Sequence, residues 1–184
     1  MNVLTSPLVA RARALAIAAH GTQTYGKQPY VIHLDAVAEL LVGHGFGSED
    51  QLAAAYLHDI LEDTPTQAGE LASFGPSVVH AVVFCSDEPG PSRKIRKAAT
   101  YARMAQDVTS GAPWVGLAIR TKVADRLANV RASAGLQPLV PATARLVAVY
   151  KGEQPTFRNA LYVADNCDAM WRELDELLTR RPEN

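Results

Sequence analysis

Four side chains able to bind a metal or carry a proton fall in one short stretch, AAAYLHDILEDTPT (residues 53–66). His58 and Asp59 are adjacent, and Glu62 and Asp63 follow one helical turn later. At about 3.6 residues per turn, His58 lies over Glu62 and Asp59 over Asp63, so the spacing predicts all four on one helix. Their neighbours Leu52, Ala53, Ala54, Ala55, Tyr56, Leu57, Ile60 and Leu61 are apolar. Charged groups buried in such a setting need partners or a metal. Two more residues of the same chemistry lie elsewhere: His33 at the start of an apolar run, and Asp125 inside GLAIRTKVADRLANV. Metal-dependent hydrolases draw imidazole and carboxylate ligands from separate elements and leave a position open for water. His33, His58, Asp59 and Asp125 form such a ligand set. Two imidazoles with two carboxylates favour manganese, iron or zinc over magnesium. Glu62 and Asp63 would then take a proton from the attacking water or orient it, as catalytic residues. The C-terminal end of a helix is electrostatically poor ground for two carboxylates, which points to function more than to a solvated helix end.

Each residue also has a plainer use. A histidine at a helix start is commonly a packed or capping residue, a His-Asp dipeptide recurs by chance, and Asp125 beside Arg126 could form a surface ion pair. The joint occurrence inside apolar helices carries the argument. Substrate contacts are expected from Lys27, Arg93, Lys97 and Lys122, which could clamp an anion, and from Asn129, one turn past Asp125. Lys94 and Arg96 share the basic stretch with Arg93 and Lys97, and part of that face reads as simply solvated. Tyr25 and Tyr30 could stack on a base or pack in the core.

The positioning elements read as helices. Apolar spacing through Leu8, Ala12, Leu15, Ala16 and Ala19 gives a first helix ending near His20-Gly21, followed by the polar loop GTQTYGKQPY. A second helix starts near Pro29 or Tyr30 and stops in GHGFG. Ser48 and Gln51 have the form of a capping box that opens the central helix. Thr64-Pro65-Thr66 ends it, and Thr66 could cap a short helix closing at Phe74-Gly75. Pro76 suits the first turn of a helix through Val83, although its valines would also fit a short strand. Ser92 caps the basic helix, and a longer helix runs from Pro113 to about Ser133. Two more run from Pro141 to Tyr150 and from Asp168 to about Arg180, with the region between Glu153 and Asn166 carrying no clear pattern. The expected class is all-α, as a single compact bundle of about eight to ten helices over residues 1–184.

The chain has 184 residues, 48% hydrophobic and 20% charged, with a formal net charge of −1. That balance argues against a nucleic-acid polymer as partner. No apolar run reaches the roughly 20 residues needed to span a bilayer, so no membrane association is expected. Cys85 and Cys167 stand apart from any CxxC spacing and read as reduced thiols of a cytoplasmic protein. The sequence leaves the oligomeric state open, a homodimer included.

His33, His58-Asp59 and Asp125, taken in order, resemble the signature of the HD-domain metal-dependent phosphohydrolases. Within that group HDILEDT, KVADRLANV and the earlier His20-x-x-Gln23 with PYVIH are similar to the hydrolase domain of the RelA/SpoT homologues, and the chain as a whole to the stand-alone small alarmone hydrolases. The resemblance covers roughly residues 18–131. It implies removal of the 3′-pyrophosphate from the nucleotides ppGpp or pppGpp with Mn2+ as cofactor. Position by position it implies that His33, His58, Asp59 and Asp125 hold the metal, that Glu62 and Asp63 are the catalytic pair, and that Asn129, Arg93 and its basic neighbours meet the nucleotide. Two departures stand out. Thr24 and Tyr25 follow Gln23 where the family carries an arginine that stacks on guanine, and Leu34 replaces a proline after the first ligand. Both bear on base recognition and bring ppApp into range as a substrate. Phosphohydrolysis of other nucleotides and a non-catalytic nucleotide-sensing role are the competing readings.

Overall fold

The computed structural model describes residues 6–137 and 139–180. Among them are nine α-helices and one two-stranded hairpin. The first helix, α1 (Pro7–His20), starts where Ser6 Oγ accepts from Val9 N at 3.3 Å with Pro7 in the first turn, and ends at Gly21, whose φ of 53° releases the chain. A tight hairpin follows, β1 (Thr24–Tyr25) paired antiparallel with β2 (Gln28–Pro29), where a featureless loop was expected. Then come α2 (Val31–Gly43), α3 (Glu49–Leu57), α4 (Ile60–Asp63), a 3₁₀ turn over Ala68–Phe74, α5 (Pro76–Cys85), α6 (Arg93–Ser110), α7 (Val115–Ser133), α8 (Ala144–Leu161) and α9 (Asp168–Thr179). The valine run of α5 is helical.

Nearly every side chain of α7 is buried, the pattern of a helix with neighbours on all sides. It packs against α2, α3, α5, α8 and α9, while α1 lies along α3. Apolar residues from all these helices form one contiguous core that includes Leu34, Leu57, Ile60, Phe84, Leu127, Phe157 and Trp171.

Several expectations need correction. The central helix is not continuous through the His-Asp pair: α3 stops at Leu57, Asp59 takes φ −100° and ψ −2°, and α4 begins at Ile60. The cause is local. His58 Nδ1 bonds to the carbonyl of Ala55 at 2.7 Å, the acceptor that a continuing helix would offer to Asp59 N. Only half of the capping box at Ser48 forms. Its hydroxyl accepts from Gln51 N, but the Gln51 side chain donates to Thr121 Oγ1 at 2.8 Å and to Leu117 O at 3.1 Å, tying α3 to α7. The 3₁₀ turn is capped by Gln67 reciprocally with Glu70, not by Thr66. Finally α8 does not end at Tyr150 but continues through Pro155 to Leu161. Pro155 and Lys151, whose carbonyl loses its partner, both lie on the exposed face, so water can satisfy that oxygen.

Candidate active site

His33 comes from the first turn of α2, His58 and Asp59 from the α3–α4 break, and Asp125 from the middle of α7. One ligand atom from each lies within 4.8 Å of all the others. The two imidazole Nε2 atoms are 3.3 Å apart. Asp59 Oδ2 is 3.5 Å from His33 Nε2 and 2.9 Å from His58 Nε2, and Asp125 Oδ1 is 3.4 and 3.6 Å from the same two atoms. Metal–ligand bonds of about 2.1 Å place neighbouring ligand atoms about 3 to 3.5 Å apart, so the set fits one divalent cation. The tautomers agree with that. His58 Nδ1 donates to Ala55 O, which turns Nε2 toward the cluster as the atom able to bind a metal once its proton is displaced. His33 Nδ1 is buried without a hydrogen-bond partner among the described residues, and the Tyr25 ring stacks on that imidazole at 4.8 Å.

The cluster's electrostatics are strongly coupled. Burial pulls the His58 imidazole down, but Asp59 and Asp125 outweigh it and hold the group up at about 10. Burial pushes both aspartates up. The imidazoles overcome this at Asp59, and Lys122 with the imidazoles at Asp125, holding both carboxylates well below their ordinary range. A second tier fixes the ligands. Tyr30 Oη donates to Asp59 Oδ2 at 2.5 Å, Lys122 Nζ to Asp125 Oδ2 at 3.0 Å, and Asn129 Nδ2 to Asp125 Oδ1 at 2.6 Å. Asn129 Oδ1 in turn accepts from Tyr25 Oη at 3.0 Å.

The carboxylates open into a cleft of about 220 Å³ lined by Tyr30, Asp59, Glu62, Asp63, Arg93, Lys97, Lys122, Asp125, Arg126, Asn129 and Tyr150. Glu62 and Asp63 are exposed along it. Desolvation between the cleft walls raises the Glu62 carboxyl, against the pull of Lys122. Lys97, opposite, is lowered by burial and by Lys122, although its Nζ donates to Asp87 Oδ1 at 2.7 Å. A second cavity of about 290 Å³ shares Asn129 with this cleft, and its other walls, including Tyr25, Ser133, Pro141, Thr143 and Leu146, carry no charge.

A profile of the HD domain family matches residues 10–112, more than half of the chain. The chain belongs to the HD domain family. Over 140 residues this HD domain is 34% identical to a probable guanosine-3′,5′-bis(diphosphate) 3′-pyrophosphohydrolase of Synechocystis sp., a match covering 71% of the chain and 17% of that protein. The chain thus spans less than a fifth of that relative's length. It also superposes with a TM-score of 0.75 on a solved structure of a metazoan ortholog of SpoT that hydrolyses ppGpp and plays a role in starvation responses. The two are 23% identical, with 96% of this chain and 97% of that one covered, a likeness of fold.

Beyond the four clustered residues, this HD domain treats the anticipated residues unequally. Arg93, Lys97, Lys122 and Asn129 line the cleft with Glu62 and Asp63, but Lys94 and Arg96 do not. Lys27 stands exposed at the hairpin turn, outside the lining of the cleft. Both polar ends of the Asn129 amide are engaged by protein, so it braces Asp125 and Tyr25. Arg126 does not form a surface pair with Asp125. It is buried, donates to Tyr101 Oη at 2.6 Å and lies 3.1 Å from Glu153 Oε2, while Arg93 holds the same carboxylate at 2.8 and 3.1 Å. Glu153 and Tyr150 were not anticipated at the site, because they sit on α8 where the expected helix ends and the following stretch carries no clear pattern. Among the described residues no helix is long and apolar enough to cross a membrane.

Proposed function

We propose that this chain is a small alarmone hydrolase that uses Mn2+ to remove the 3′-pyrophosphate from ppGpp and pppGpp, giving GDP or GTP, and that also accepts ppApp. One observation supports the reading: four residues that could hold one cation cluster together, and their two aspartates open into a cleft also lined by Glu62, Asp63, Arg93, Lys97 and Lys122. The names of the Synechocystis relative and of the metazoan structure point the same way. The uncharged walls of the second cavity suit a nucleobase and offer no carboxylate to demand guanine, in keeping with ppApp as a substrate.

In this reading His33, His58, Asp59 and Asp125 hold the manganese. The ion, when bound, polarises a phosphoryl oxygen and makes hydroxide available near neutral pH. Glu62, with its raised proton affinity, takes the proton that the attacking water sheds, and Asp63 orients that water. Water adds to the phosphorus next to the 3′ oxygen, the P–O3′ bond breaks, the proton taken up by Glu62 is returned to O3′ to give the 3′-hydroxyl, and pyrophosphate is released. Arg93, Lys97 and Lys122 offset the charge that builds on the phosphates. Tyr25 borders both the base cavity and the metal cluster, and Lys27 at the hairpin turn is available to the distal phosphates. The reading places the whole of residues 1–184 in one HD-type unit working in the cytoplasm, where the free thiols of Cys85 and Cys167 are at home.

The test is incubation with ppGpp, pppGpp and ppApp in Mn2+, resolving pyrophosphate from orthophosphate, beside an Asp59→Ala control. Stoichiometric pyrophosphate from the wild type alone is expected. Orthophosphate as the sole product, released from ordinary 5′-nucleotides, would overturn the alarmone reading in favour of a nucleotidase.

A further inference from the structure

We propose that Gln23, locked by the buried imidazole of His20, is a positioning residue for Asp63. The proposal rests on the role given to Asp63 above. Gln23 lies at the base of the hairpin and its backbone is held on both sides: its N–H donates to His20 O at 2.9 Å and its carbonyl accepts from Tyr30 N at 3.1 Å. Only the side chain is left free to turn, and both ends of its amide are taken. One end meets Asp63 Oδ2 at 2.8 Å and the other meets His20 Nδ1 at 2.9 Å.

The orientation follows from chemistry. A carboxylate only accepts, so the amide nitrogen faces Asp63 and the amide oxygen faces His20. The His20 proton therefore resides on Nδ1. His20 itself cannot swing away: it is 7% exposed and stacks on Tyr30 with ring centroids 4.4 Å apart and planes 25° from parallel. Tyr30 is the residue that donates to Asp59. One imidazole at the end of α1 thus braces an arm to the acid outside the metal cluster and a stack against the support of an acid inside it. Asp63 is an exposed residue on the four-residue helix α4, and among the described residues Gln23 is the one side chain that bonds to it. Without that bond its carboxylate would sample several rotamers, and only one oxygen in one of them would face the water it orients.

The experiment is a double-mutant cycle of Gln23→Met, Asp63→Ala and the pair, because Met keeps the side chain's length and bulk and removes its polar ends. Turnover is measured in Mn2+ on ppGpp and on bis(p-nitrophenyl) phosphate, with metal content and melting temperature alongside. Gln23→Met should lower kcat roughly ten- to a hundred-fold while KM stays within about threefold, with metal content unchanged. In the Asp63→Ala background the same change should cost less than about twofold, because its only route of action is gone. A wild-type rate in Gln23→Met, equal losses in both backgrounds, or loss of the bound metal would each overturn the proposal. If the aryl phosphate is turned over and ppGpp is not, the alarmone reading fails and the cycle still decides this one. If neither is turned over, crystal structures of wild type and Gln23→Met decide it: a displaced Asp63 carboxylate supports the proposal, and an unmoved one overturns it.

Discussion

Asp59 is held from several directions, by His58, by His33 and by the hydroxyl of Tyr30, so its placement depends on more than its own rotamer. Tyr30→Phe removes one of those supports and should weaken Mn2+ affinity roughly 10- to 100-fold, measured by titrating the metal into the stripped protein. Asp59→Ala removes a ligand and should cut kcat on the order of a thousand-fold, with loss of bound metal by elemental analysis. The pH response of the metal-free protein follows from the same residues. His58 is raised to about 10 on folding, so its stabilising contribution is complete below about pH 6.5 and is lost as the pH climbs toward 10. Asp59 and Asp125 are lowered, so theirs is present above their ordinary value of 3.8 and is lost as the pH falls below it. The melting temperature of stripped protein should therefore decline on the alkaline side. Because metal displaces the imidazole proton, added Mn2+ should raise the melting temperature more at about pH 8.5 than at about pH 6. A larger rise at the acid end would contradict this assignment.

Among the elements, α8 holds the largest departure from the periodic pattern and an accessible test. Restoring a backbone donor on its exposed face with Pro155→Ala should stabilise the protein by about 1 kcal/mol, read as a higher melting temperature. Conversely Gln51→Leu strips the buried tie from α3 to Thr121, Leu117 and Arg120 Nε and should cost about 2–3 kcal/mol in urea unfolding. What could be read without coordinates divides along the same line. That His33, His58, Asp59 and Asp125 could meet around one cation, and most helix starts, were legible from residue type and spacing; Ser92 caps α6 as such residues do. The break at Asp59 was not, since it arises from a side chain competing for a backbone carbonyl. Nor was the brace from His20 to Asp63, which joins residues 40 positions apart along Gln23–Asp63. The pairing of Arg126 with Glu153 was not legible either, because Glu153 lies 27 positions further on, at the start of the stretch that carries no clear pattern.

For the molecule as a whole, a formal net charge of −1 gives an anionic nucleotide no long-range attraction, so on the proposed function its capture would rest on the local cations of the cleft. Raising NaCl from about 50 to about 200 mM should therefore change kcat/KM for ppGpp by only a few fold, far less than a basic-faced polyanion binder would show. The order in which the elements leave the ribosome adds a last consequence. His33, His58 and Asp59 all precede Asp125, which arrives on α7, the helix with neighbours on every side. A nascent chain that has yet to deliver α7 lacks both Asp125 and the helix around which the interior packs, so the proposed metal site and the centre of the core can form only once residues 115–133 have emerged.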